Sequence, residues 1–214
     1  MDPVIIIINV AALGIIFYLF RLSRKRKKLE ASSTTDKRLE TIPKDEIRLE
    51  NVQVGGVVHV SLMEDSYEDY DLVITQKNSY RSGSDFWYEL VGDNARAQVA
   101  LEFELTDSLL ITIQMERLKL QDLPISRSDL DQIDQNESGS FDFDEKNFSF
   151  TDSGEASFYK NCNDKQAEDF YYWEFKTTDG KYIVSCEQWD DGSIDVTYSK
   201  AIPQSSIEVY SLKG

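Results

Sequence analysis

From residue 46 onward, apolar and polar residues alternate in short runs rich in Val, Ile, Tyr, Phe and Thr. Runs of period two bounded by Gly, Asp, Asn and Ser predict strands whose alternate side chains share a face. They fall at residues 57–62, after Gly55 and Gly56, then at 70–76, 86–91, 98–104 and 109–114. Gly92-Asp93-Asn94 and Asp107-Ser108 are turn signals between them. At 126–135 the period changes: Ser126 or Ser128 can cap a short helix carrying Leu130 and Ile133 on one side. Residues 136–140 read as a loop. Strands resume at 141–144, 148–151, 156–162, 170–176, 181–189, 194–199 and 207–210.

Sliding residues 86–113 by 85 positions lays them on 171–198 without a gap. Glu89 meets Glu174, Val99 meets Val184, Glu102 meets Glu187, Ser108 meets Ser193 and Thr112 meets Thr197. The alternation matches too: Phe86, Tyr88 and Leu90 make one apolar face, and Tyr171, Trp173 and Phe175 make its counterpart. Each copy reads as an antiparallel meander that needs a partner to bury its apolar face. The predicted fold is therefore mainly β. Two related antiparallel β subdomains, meanders or small barrels, pack together, spanning 47–123 and 141–214. Residues 124–140 join them through the short helix.

The N-terminal pattern is different. Residues 4–20 carry no charge, and with Pro3, Arg21 and Leu22 the stretch would span about 30 Å as a helix, the thickness of a bilayer core. A cleaved signal peptide would open on basic residues and close on small ones; this stretch opens Met1-Asp2-Pro3 and closes Tyr18-Leu19-Phe20-Arg21. The expectation is a single-pass transmembrane helix held in the lipid bilayer by residues 3–22. A basic collar follows, Arg21, Arg24, Lys25, Arg26, Lys27 and Lys28, completing an anchor unit at 1–28. Basic residues stay on the cytoplasmic side, so the N-terminus points out and the C-terminal domain is cytoplasmic. Residues 29–46 are a polar linker.

Net charge sharpens this division. The chain totals −16, yet residues 31–214 hold 17 basic and 37 acidic residues, a net charge of −20. So acidic a body repels phosphate, which excludes nucleic acid as a partner and favours a basic protein. One histidine and two cysteines exclude a disulfide scaffold, a zinc ribbon and a His-rich metal centre. No glycine-rich phosphate loop, nucleophile elbow or dinucleotide fingerprint occurs, so no cofactor is expected and no reaction is legible.

Val54-Gly55-Gly56-Val57-Val58, Tyr70-Asp71-Leu72-Val73-Ile74 and Trp87-Tyr88-Glu89-Leu90 form one pattern in the first half. In the second half stand Tyr172-Trp173-Glu174-Phe175, the stretch Ile183 to Gly192, and Ile207-Glu208-Val209. Together they resemble the bacterial domain-of-unknown-function family numbered 4178, over about residues 47–212. That family has no assigned reaction or catalytic residues to carry over. Its members accompany envelope-stress genes of the phage-shock protein A type and polyamine-synthesis-like genes. The resemblance implies a membrane-associated accessory role.

Candidate chemistry is sparse. With a turn near Ala95, Glu89 and Glu102 sit opposite each other, and Glu174 and Glu187 repeat the arrangement. Facing carboxylates can share a proton or hold a cation. Since like charges opposite each other destabilise a sheet, a solvated face or a register off by two is the plainer alternative. A carboxylate-based hydrolase, or a divalent-metal or small-ligand site, would draw on these four residues. Asp190-Asp191-Gly192, near Asp195, resembles a calcium-loop fragment but reads as hairpin-turn chemistry. Trp87, Trp189, Asp190 and Asp191 are the candidate binding surface, with Trp189 expected to be the most exposed aromatic. His59 has no constellation around it in sequence, and Cys186 reads as a small buried residue.

Overall fold

The computed structural model describes residues 46–61, 69–94, 97–105 and 109–213. The expected anchor, its collar and all of the linker but Glu46 lie outside them. No helix among the described residues is long and apolar enough to cross a membrane.

The described residues are mainly β, in one antiparallel sheet. Its strands are β1 (Val57–Val60), β2 (Tyr70–Ser82), β3 (Asp85–Asp93), β4 (Gln98–Leu105) and β5 (Leu109–Lys119). A helix, α1 (Arg127–Asn136), precedes β6 (Ser140–Phe143), β7 (Lys146–Tyr159), β8 (Ala167–Lys176), β9 (Tyr182–Trp189), β10 (Ile194–Ile202) and β11 (Ile207–Ser211). The spatial order is β11-β1-β2-β3-β4-β5-β10-β9-β8-β7-β6, with a further pairing of β2 with β7. That last ladder, Ser79–Arg81 against Ser157–Tyr159, closes eight strands into a ring. Closure pairs strand edges that would otherwise offer unsatisfied backbone groups to other chains.

The halves expected to be two packed units are thus continuous through one sheet: β1 to β5 run in chain order up to the β5–β10 pair and β10 to β6 in reverse order beyond it, with β11 added outside β1. Each half nevertheless keeps its own apolar cluster. Val58, Val60, Leu72, Ile74, Leu90, Leu101, Phe103 and Ile111 form the first, closed off by Leu49 and Val52 around a short 3-10 turn. Phe141, Phe148, Trp173, Phe175, Val184, Cys186 and Val196 form the second, closed off by Leu130 and Ile133 of α1. Helix α1 forms where the i, i+3 pattern places it. Ser126 caps it, and the Asp129 carboxylate accepts from the Ser126 backbone N–H at 2.7 Å.

Two strands outrun their sequence signals. β2 extends to Ser82, because its first half pairs with β1 and its second with β3 and β7. A bulge between Ile74 and Gln76 lies where it changes partners. The segments 148–151 and 156–162, expected as separate strands, belong to one strand, β7, as far as Tyr159. The ladder to β8 runs from Ser149 to Tyr159 and carries Ser153 and Gly154 through despite their turn propensity. Residues 160–162 are a 3-10 turn instead, with Asn161 and Cys162 both at φ 53°.

Candidate functional site

Strand register decides which carboxylates meet. Glu89 lies directly opposite Glu102 across the β3–β4 ladder. The second pair does not repeat this: Glu174 lies opposite Ser185, and Glu187 opposite Tyr172. If β3 matches β8 at a shift of 85, the ladders require β4 to match β9 at 83. Glu187 then corresponds to Glu104, and Glu102 to Ser185. Compensating length differences in the two flanking turns keep β5 and β10 at a shift of 85.

The sheet face opposite the two apolar clusters turns toward the interior of the ring. A cavity of about 310 Å³ lies there, drawn from both halves. Asp85, Glu102, Glu104, Asp152 and Glu174 line it, with Lys176 as the basic member, and Trp87, Thr112, Tyr172 and Thr197 add rings and hydroxyls. Several of these carboxylates are held. The Tyr172 hydroxyl donates to Asp152 at 2.9 Å. Glu174 accepts from Thr151 Oγ1 at 2.9 Å and pairs with Lys176 at 3.0 Å. Glu89, set deeper and only 8% exposed, accepts from Asn78 Nδ2 at 2.7 Å and from the Tyr80 hydroxyl at 3.4 Å.

Glu102 and Glu187 differ from these: neither makes a hydrogen bond or ion pair with a described residue. Burial pushes the Glu102 carboxyl up to about 8, and the charges of Glu89, Glu187 and Glu174 push the same way. Burial, with Glu89 and Asp195, raises Glu187 to about 8 as well, against the opposing pull of Arg117. Burial and Glu89 lift the Tyr80 hydroxyl well above its usual range, so it stays a donor. Glu102 keeps partial exposure because it faces the cavity while protein surrounds it on the other sides.

The remaining sequence candidates fall elsewhere. Trp87 and Trp189 are not an exposed face: both are half-buried around a third cluster of Tyr80, Ala156 and Phe170. Trp87 stacks on Tyr80 at 5.2 Å, and Trp189 packs on Phe170 at 4.9 Å. The alternation showed that these rings share a face with carboxylates; ring closure turned that face inward. Asp190 and Asp191 are exposed in the β9–β10 turn, where Asp191 accepts from the Ser193 N–H at 2.8 Å. No three His, Cys, Asp or Glu side chains converge as metal ligands among the described residues. Cys186 sits in the second apolar cluster, its thiol pushed up to about 12 by burial, which makes it a poor nucleophile. His59 is not isolated: strand pairing sets Asp71 opposite it. Sequence reasoning passed over Glu104, Asp85 and Asp152; the clue for Glu104 was its place two residues beyond Glu102, on the same strand face.

A larger groove of about 590 Å³ runs between α1 and β6. Its acidic members are already used: Asp129 in the helix cap, and Asp142 as acceptor for Asn147.

The family model described as "Domain of unknown function (DUF4178)" matches residues 66–204, from just before β2 to just after β10. No curated protein and no solved structure matches the chain. The chain belongs to the DUF4178 family, and the matched segment contains the whole eight-stranded ring, leaving β1 and β11 outside it.

Proposed function

We propose that this DUF4178 member is a membrane-tethered binding protein, without catalysis at the ring, whose central cavity takes up a small organic ammonium cation. The observation that carries the reading is Glu102, a carboxyl that lines the cavity and makes no hydrogen bond or ion pair with a described residue, while the charge of Glu187 adds to the cost of ionising it and the other acidic groups of the cavity are engaged. An unpaired carboxylate in a low-dielectric site is costly, and a bound cation relieves that cost. The volume suits a small ligand, and the ring of Tyr172 and the indole of Trp87 offer faces to an alkylammonium group. A divalent metal fits less well, because the carboxylates do not converge on one point. The tether rests on residues 3–22 and the collar from Arg21 to Lys28.

Capture of a basic protein on an acidic surface fits less well, because the carboxylates singled out by the repeat face inward. Calorimetric titration of the full-length protein in mild detergent with n-propylammonium, against tetramethylammonium and Ca²⁺, tests the proposal. Binding should favour n-propylammonium and tighten about tenfold per pH unit between pH 6 and 8 for each proton released. It should be lost in the Glu102→Gln/Glu187→Gln double variant. Equal binding of n-propylammonium by that variant refutes the reading.

A further inference from the structure

We propose that Ser61, His59 and Asp71 form a second site, a Ser-His-Asp nucleophile that cleaves small activated carboxylic esters. It is independent of the ring cavity and lies at the other end of β2. His59 and Ser61 stand two residues apart at the end of β1, so their side chains share a face. The β1–β2 ladder places Asp71 directly opposite His59. The Asp71 carboxylate lies 2.7 Å from His59 Nδ1, and Ser61 Oγ lies 3.3 Å from His59 Nε2. The two ring nitrogens are therefore used in the order a serine relay needs. In the tautomer the relay uses, Nδ1–H donates to the carboxylate and Nε2 accepts from the serine hydroxyl.

Supports on either side fix this geometry. The Tyr210 ring stacks on the imidazole at 5.5 Å and 19°. The Ser61 N–H donates to the Ser206 carbonyl at 2.8 Å, which fixes the backbone that carries the nucleophile. The site is open: the His59 side chain is 23% exposed and that of Asp71 is 57% exposed. Val73 lies two residues from Asp71 on the same face and is 49% exposed, an apolar rest for a short acyl group. His59 and Ser61 precede the family-matched residues 66–204, whereas Asp71 falls within them, so the site joins the strand added outside the ring to ring strand β2.

The chemistry balances without any further cofactor. Ser61 Oγ bonds to the ester carbonyl carbon as its proton passes to His59 Nε2. The carbon–oxygen bond to the leaving alcohol breaks, and the alkoxide takes that proton. Water, deprotonated by His59, then attacks the acyl-serine, releasing the carboxylic acid and restoring Ser61.

The test is labelling of the full-length protein with a fluorophosphonate, with the modified peptide identified by mass spectrometry and p-nitrophenyl acetate turnover measured in parallel. Label should fall on Ser61 and vanish in Ser61→Ala. It should slow about 100-fold in His59→Gln and about tenfold in Asp71→Asn, whose carboxylate is largely solvated. Thermal unfolding checks that each variant is folded. Absence of label on folded wild-type protein overturns the proposal. So does label that persists in Ser61→Ala, or a Ser61 whose labelling is indifferent to His59→Gln.

Discussion

Replacing Glu102 by Gln should make the protein more stable at alkaline pH and leave it nearly unchanged at pH 5. Glu102 is carried in the fold with its carboxyl raised from 4.5 to about 8. Its folded value lies above its unfolded one, so the native state holds the proton over a range where the unfolded chain has lost it. The resulting stability is fully present below about pH 4.5 and is lost as pH rises through 8. At about 1.36 kcal/mol per unit, a shift of this size corresponds to roughly 5 kcal/mol at the limit. Glu102 is partly exposed to the cavity, so solvent screening reduces this, and about 2 kcal/mol is the share expected at pH 9. Gln keeps the shape and carries no charge, so the variant escapes the penalty. Urea unfolding followed by the fluorescence of Trp87, Trp173 and Trp189, at pH 5 and pH 9, gives the two free energies for each protein. Taking the difference between variant and wild type at each pH cancels the titrating groups that do not couple to Glu102. A difference that stays the same from pH 5 to pH 9 would refute the placement of Glu102 in a low-dielectric cavity.

Two further variants examine how each half is closed. A Cβ at Gly56 would lie 2.8 Å from Val52 Cγ1 and 2.9 Å from the carbonyl oxygens of Ser211 and Leu212. Gly56→Ala should therefore cost about 2 kcal/mol, read by urea unfolding, and loosen the β1–β11 pairing, read by amide exchange. Leu130, fully buried where α1 meets the second cluster, should cost about 2–5 kcal/mol as Leu130→Ala. Near-ultraviolet circular dichroism should report the loss of packing around Trp173.

Much of the secondary structure was legible because strands write a period of two into the sequence. Phe86-Trp87-Tyr88-Glu89-Leu90 announces a strand with Tyr88 and Leu90 on one face and Trp87 and Glu89 on the other, and β3 has both. The same period hides register. A slip of two residues leaves every side chain on its own face, so the shift of 85 that places Glu89 on Glu174 also places Glu102 on Glu187 with its alternation intact. The structure gives β4 and β9 a shift of 83 instead. Glu102 does face Glu89, while Glu174 faces Ser185. The lengths of two turns, not the strands, decided this.

What the sequence determined by itself was the kind of fold and the position of its breaks: alternating strands, a capped helix at Leu130 and Ile133, and an acidic body behind a basic collar. Only tertiary structure decided which way the acidic face points. Alternation says that Trp87, Glu89 and Glu102 share a side of the sheet, but it cannot say whether that side meets water or another strand. The pairing of Ser79–Arg81 with Ser157–Tyr159 settles this, since closing the ring turns that face inward. A different pairing, of β1 with β2, sets Asp71 beside His59, twelve residues away in sequence. Both sites depend on contacts between strands, and local pattern carries no record of them.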